Sequence, residues 1–150
     1  MGGPDWPERE LALVDSNPET EFRGRLTLRA HSWVLLDQAG VPVAKIGGDV
    51  YDRWTSYAGE RDGAPIVLGA IDVISMGLAY VVDPQRWGQG FGSAALRAVI
   101  AHPATADVEL FVAGVDAGNL ASSRCALSAG FHVIDPVPDF EETVYHLYRR

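Results

Sequence analysis

Residues 83–101 read DPQRWGQGFGSAALRAVIA. Three glycines, Gly88, Gly90 and Gly92, alternate with Gln89 and Phe91, and then glycine stops. Leu96, Val99 and Ile100 follow at i, i+3 and i+4, the spacing of a helix with one apolar face. Pro103 ends that helix. The residues before the loop, 66–82, are rich in Val and Ile and lie between Pro65 and Pro84, which predicts a strand. A strand, a glycine loop and a helix in that order form a phosphate-binding arrangement. Backbone N–H groups converge where no Cβ atoms intervene, and the helix N-terminus adds about half a positive charge.

The loop alone leaves several readings open. A P-loop requires a closing Gly-Lys-Ser/Thr, which is absent. A dinucleotide fingerprint requires G-x-G-x-x-G and an acid about 20 residues further, at the end of the next strand. Here the loop is G-x-G-x-G, and Glu109 has the distance but sits near its strand's start. The pyrophosphate of coenzyme A is a third ligand of the right kind. A tight strand-to-helix turn with no ligand is the fourth reading.

Working outward, residues 33–36 run into the turn residues Asp37, Gln38, Ala39 and Gly40, then into an extended stretch, 41–50. This predicts two antiparallel strands. Residues 51–65 (YDRWTSYAGERDGAP) read as a polar surface loop. Gly69 and Gly77 mark a bulge or a close approach to the backbone. Residues 108–115 form a compact apolar strand, Asn119 opens a second helix running to 129, and Gly130 is suited to end it. Residues 131–134 and 143–148 are two last strands. Residues 8–14 fit a short helix or an edge strand equally. The expected fold class is α/β (α+β): a mixed, mostly antiparallel central sheet with flanking helices, as a single domain over 1–150.

The 150 residues are 47% hydrophobic and 21% charged, ordinary for a soluble globular chain. With 12 basic and 20 acidic residues the net charge is -8, which disfavours nucleic acid and anionic membranes and favours cationic ligands. The lone Cys125 allows no intrachain disulfide and fits a reducing compartment. No basic stretch followed by an apolar one opens the chain, so a cytoplasmic location is expected. The four histidines show no metal-ligand spacing, and no metal is expected.

Asn119-Leu120-Ala121-Ser122 followed by Gly130-Phe131, taken with Asp83-Pro84 and the Arg86-Trp87-Gly88-Gln89-Gly90-Phe91-Gly92 loop, resembles the GNAT superfamily of coenzyme-A-dependent N-acetyltransferases. The motif form is most similar to the branch that acetylates ribosomal-protein N-termini and to its small-molecule-modifying relatives. The resemblance covers about residues 66–136 and implies an acyl-CoA N-acyltransferase fold in which the strand before the loop splays from its neighbour. It further implies that acetyl-CoA lies in that gap as acyl donor, with its pantetheine arm against backbone groups of Val81 and Val82. Its pyrophosphate would lie on the N–H groups of Gly88, Gln89, Gly90, Phe91, Gly92 and Ser93, with Trp87 in the loop. Asn119 would then contact the pantetheine and Ser122 the region of the thioester sulfur. Arg86, Arg97 and Arg124 are candidates for the 3′-phosphate.

The implied reaction is direct attack of an amine on the thioester in a ternary complex. An α-amine titrates near 8 and a lysine-like amine near 10.4, so deprotonation at pH 7 costs about 1.4 or about 4.5 kcal/mol. A general base therefore matters more for the second kind. Asp72, Glu109 and Asp116 are the candidate bases. The family's usual tyrosine acid, seven residues after the motif Asn, is replaced by Ala126. Ser122, Tyr145 and Tyr148 are its possible substitutes. The expected acceptor is a primary amine of a cationic small molecule or a protein N-terminus, with Trp54 and Tyr57 shaping its site, and a homodimer is possible. A catalytically silent acyl-CoA-binding module on the same fold is the alternative.

Overall fold

The computed structural model describes residues 21–150. The 8–14 segment lies outside the described residues. Nine strands and two α-helices are present among those described: β1 (Glu21–Phe22), β2 (Arg25–Leu36), β3 (Pro42–Tyr51), β4 (Trp54–Arg61), β5 (Ala64–Ile71), β6 (Ser75–Val82), α1 (Phe91–Ala101), β7 (Leu110–Asp116), α2 (Leu120–Ser128), β8 (His132–Val133) and β9 (Thr143–Arg149). Seven strands form one sheet in the order β1-β2-β3-β6-β7-β9-β8. Every pairing in it is antiparallel except β6 with β7, which are joined through α1 and run parallel. This is the mixed, mostly antiparallel sheet that the sequence predicts.

The β2–β3 hairpin turns where Asp37 and Gly40 stand. The Asp37 carboxylate accepts the N–H groups of Ala39 and Val41, each at 2.9 Å. The helices cover one sheet face. Leu96 and Val99 of α1 pack with Ile46, Val50, Met76, Leu78 and Phe111 in one buried core. Gly92 is where α1 meets α2, because a Cβ there would stand 2.6 Å from Cys125 Sγ. Asn119 caps α2 by accepting the Ser122 N–H at 3.1 Å, and Gly130 ends it with φ +96°.

Two stretches differ from the sequence reading. Residues 51–65 are not a loop: Trp54–Arg61 pairs with Ala64–Ile71 as a separate two-stranded sheet. The alternation was hidden because a polar strand carries no apolar period. Residues 66–82 are not one strand but parts of two, β5 and β6, in different sheets. The break is a tight turn in which the Val73 N–H donates to the Ile71 C=O at 3.0 Å. It falls inside a Val/Ile-rich run, so composition alone cannot see it. Gly69 adjoins a register irregularity, opposite Ser56 and Tyr57, and Gly77, in regular pairing between Asp49 and Val112, is a place of close backbone approach, because a Cβ at Gly48 would collide with the Gly77 C=O.

A bulge in β2 has consequences for the other sheet face. Register shifts between Thr27 and Arg29, opposite Tyr51 and Val50. One extra residue reverses side-chain parity. Arg29 therefore turns to the helix side, where it bonds Asp107, while Arg25 turns to the uncovered side with Tyr51.

Candidate active site

β6 and β7 pair from Ser75 with Leu110 to Leu78 with Ala113, and there the ladder stops. β6 continues to Val82 against β3, and β7 continues to Asp116 against β9. The two parallel strands therefore part beyond Leu78. The Asp83 N–H donates to the Val43 C=O at 2.9 Å, so antiparallel alternation pairs Val81 with Lys45 by hydrogen bonds. The backbone groups that face the gap belong to Tyr80 and Val82 rather than to Val81, although Val81 also lines the cleft. The Val82 C=O already accepts the Trp87 indole N–H at 3.0 Å.

A cleft of about 590 Å³ opens from this gap on the helix side. Tyr80, Val81 and Val82, the loop residues 86–88 and 90–93, and Asn119, Ser122 and Arg124 of the second helix segment line it. Gly88 and Gly90 hold φ +79° and +84°, a conformation glycine adopts without strain. The first bond of α1 runs from the Ala94 N–H to the Gly90 C=O. The N–H groups of Phe91, Gly92 and Ser93 thus have no acceptor within the helix, and they stand at its positive end. Across the cleft, the Tyr80 hydroxyl donates to the Ser122 C=O at 2.7 Å, and the Ser122 hydroxyl donates to the Tyr80 oxygen at 2.8 Å. Burial pushes the Tyr80 hydroxyl's pKa up, so it stays protonated at neutral pH.

A second cavity, about 280 Å³, lies on the opposite sheet face. Gly48, Gly77 and Gly114 line it, and at Gly77 and Gly114 a Cβ would point toward the cavity residues Tyr51, Trp54 and Tyr145. Its walls include Arg25, Asp49, Tyr51, Trp54 and Tyr145. Ala79 lines this cavity and the next residue, Tyr80, lines the first, so the two lie on opposite faces of β6 at the point where the sheet parts. Burial raises the Asp49 carboxyl's pKa, opposed by the Tyr51 hydroxyl that donates to it at 3.4 Å. The Tyr51 hydroxyl is itself pushed up to about 12, chiefly by burial.

The family model of the acetyltransferase (GNAT) domain matches residues 6–132. The chain belongs to the GNAT acetyltransferase family. No curated protein matches it. Among solved structures, this GNAT chain is similar to the GNAT domain of S. lividans PAT, at 18% identity and TM-score 0.56, covering 81% of this chain and 61% of that one. It is also similar to AAC(6′)-Ib in complex with ribostamycin and coenzyme A, at 20% identity and TM-score 0.57, covering 81% and 64%. A putative ribosomal-protein-serine acetyltransferase from Vibrio cholerae is similar at 14% identity and TM-score 0.55, covering 81% and 64%. The chain thus spans less than two thirds of the length of these neighbours, and the likeness is one of fold.

Within this GNAT domain, the loop residues other than Gln89, together with Asn119 and Ser122, line the cleft; Gln89 does not. Arg86 lines the cleft but is engaged: it donates to Asp37 at 2.6 Å. The many bonds to Asp37, the Val41 N–H foremost, hold its carboxyl below the ordinary range. Arg97 bonds the Ser128 C=O at 3.5 Å, which leaves Arg124 as the arginine of the three that lines the cleft without such a bond. Asp72 and Glu109 are not brought to either cavity. Asp72 is exposed on the β5–β6 turn and pairs with Arg53 at 3.2 Å. Glu109 pairs with Arg149 at 2.8 Å, at the end of β7 where the sheet is still zipped. Ala126, the position at which the resemblance implied a tyrosine acid, is fully buried. Sequence reasoning missed Asp49 and Tyr80. Both lie on strands it placed, and counting strand parity from the buried Ile46 and Leu78 assigns Asp49 to the uncovered face and Tyr80 to the helix face. Among the described residues, no group of three or more His, Cys, Asp or Glu could hold a metal ion, and no helix is long and apolar enough to cross a membrane.

Proposed function

We propose that this chain is an acetyl-CoA-dependent N-acetyltransferase that acts on a primary amine. The observation that carries this reading is the placing of two cavities on opposite faces of β6, at neighbouring residues where it parts from β7. The helix-side cleft suits coenzyme A: the N–H groups at the start of α1 face a pyrophosphate, Arg124 offers a cation, and Tyr80 presents backbone to a pantetheine amide. The opposite cavity suits the acceptor.

Acetyl-CoA supplies an activated acetyl group, so that a nitrogen–carbon bond forms as the carbon–sulfur bond breaks and the electron pair leaves with sulfur. Asp49 accepts the proton that the amine must shed, directly or through one water. This assigns to Asp49 the role expected of Asp72 or Glu109. The charged guanidinium of Arg25 in the same cavity opposes an ammonium and favours the neutral, nucleophilic amine. Ser122 and Tyr80 shape the cleft wall, and the departing thiol, with an ordinary pKa near 8.5, needs little assistance.

Acetyl-CoA turnover followed by free-thiol release over a panel of amines tests the proposal. Amine-dependent thiol release supports it. Binding of acetyl-CoA without thiol release from any amine supports the silent module instead.

A further inference from the structure

Arg25 is a buried cation with no acidic partner. Its residue is 5% exposed. Its Nε donates to Thr55 Oγ1 at 2.7 Å and its Nη2 to the Thr55 C=O at 2.9 Å. The guanidinium lies 3.7 Å from the centre of the Trp54 ring and 5.3 Å from that of Tyr51. Among the described residues, ion pairs engage Arg23, Arg29, Arg53, Arg86 and Arg149, and none engages Arg25. Burial draws its pKa down, the response of a charge that lacks compensation.

Threonine oxygens and aromatic faces orient a guanidinium, but they do not neutralise it. A buried charge is costly unless it is paired. This one is held rigid at the wall of an open cavity, with guanidinium N–H groups beyond those bound to Thr55. That is a preorganised seat for a planar anion, which arginine binds in fork geometry. Asp49 lines the same cavity. A volume of 280 Å³ falls just under the range of about 300–1,000 Å³ common for small-molecule sites, so the occupant is small.

We infer that the acceptor carries a carboxylate close to its amine, with the carboxylate seated on Arg25 and the amine directed to Asp49 and the parted strands. The acceptor is therefore amino-acid-like rather than a polycation, which narrows the expectation drawn from the net charge of -8. This inference rests on the acetyl-transfer reading above. The chemistry is unchanged: the amine gives its proton to Asp49, its nitrogen takes the acetyl carbon, and the thiolate leaves.

The test uses matched acceptors on the intact chain: amino acids, their carboxamides and the corresponding decarboxylated amines, with acetyl-CoA saturating and thiol release as readout. The expected result is at least a tenfold higher kcat/KM for the best amino acid than for its amide and its decarboxylated amine. Equal or better turnover of the partners that lack the carboxylate overturns the inference and leaves the acetyl-transfer reading standing. Absence of thiol release from every amine, with acetyl-CoA bound, overturns both. In Arg25→Gln the discrimination should fall to about one, and in Arg25→Lys it should be retained in part. Thermal melting of each variant separates loss of fold from loss of recognition, and the wild-type comparison needs no variant.

Discussion

Tyr80 and Ser122 hold each other by two hydrogen bonds across the cofactor cleft, the tyrosine donating to the serine carbonyl at 2.7 Å and the serine hydroxyl to the tyrosine oxygen at 2.8 Å. The pair ties β6, beyond the point where it leaves β7, to the first turn of α2. A parted sheet has lost the ladder that would fix its strand spacing, and this clasp replaces it from the side.

Removing the Tyr80 hydroxyl breaks both bonds. At about 0.5–1.5 kcal/mol each, Tyr80→Phe should lose about 1–3 kcal/mol. Ser122→Ala should lose less, because the carbonyl acceptor remains. Melting temperatures order the variants: wild type highest, then Ser122→Ala, then Tyr80→Phe. Because burial raises the Tyr80 pKa, its ionisation should leave no break in acetyl-CoA affinity between pH 6 and 9. An affinity that falls across that range would show that the hydroxyl ionises.

Gly92→Ala should destabilise the chain although alanine favours helix. The added Cβ would stand 2.6 Å from Cys125 Sγ, 3.2 Å from Cys125 Cβ and 3.4 Å from Val82 Cγ2. Overpacking of this kind costs about 1–3 kcal/mol. Cys125→Ala removes the nearest atom, so the double variant should recover part of the loss, a coupling that a double-mutant cycle reads directly. Additive losses would mean that the helices shift apart instead.

Asp49→Asn should lower amine-dependent turnover by about 10²–10⁴-fold, the range for a positioned base, while acetyl-CoA still binds. In the wild type, kcat/KM should rise as pH passes through the Asp49 pKa, which burial lifts above its ordinary 3.8. The stability effect has the opposite sense. A carboxyl with a raised folded pKa contributes stability that is full below the unfolded pKa and is lost as pH rises through the folded value. The Asn variant does not titrate there, so its stability relative to wild type should improve from about pH 3.5 to pH 7. Denaturant unfolding at the two pH values measures this. A constant difference would mean that Asp49 titrates alike in both states.

The loop at 88–93, the cap at Asn119 and the apolar face of α1 were legible because each rests on local chemistry: glycine freedom, an Asx cap and a helical period. The acceptor side was not. β4 carries no apolar alternation, and the turn at Val73 lies within an unbroken β-branched composition. Arg25 reaches its cavity only because a bulge near Leu28 reverses parity, and nothing in the sequence marks that bulge. Asp72 and Glu109 were singled out by their expected strands, one feeding the loop and the other opposite it. Their arginine partners, Arg53 and Arg149, lie on other elements, and the three-dimensional fold alone brings those charges together.

Gly77→Ala tests whether the cavity beneath Asp49 admits the acceptor. A Cβ there would meet Trp54 at 3.5 Å and Tyr51 at 3.6 Å, both ordinary contacts, and the backbone carries no positive φ to strain. The fold should therefore survive, with a melting temperature close to wild type. The methyl group projects into the 280 Å³ space, and one carbon misplaced in a fitted pocket alters recognition by about tenfold or more. The expected outcome is a rise of that size in the acceptor KM with the acetyl-CoA affinity unchanged, since the cofactor cleft lies on the other face of β6. Steady-state kinetics with each substrate varied in turn distinguishes this from its opposite. A weakened acetyl-CoA affinity with the acceptor KM intact would mean that the amine approaches from elsewhere.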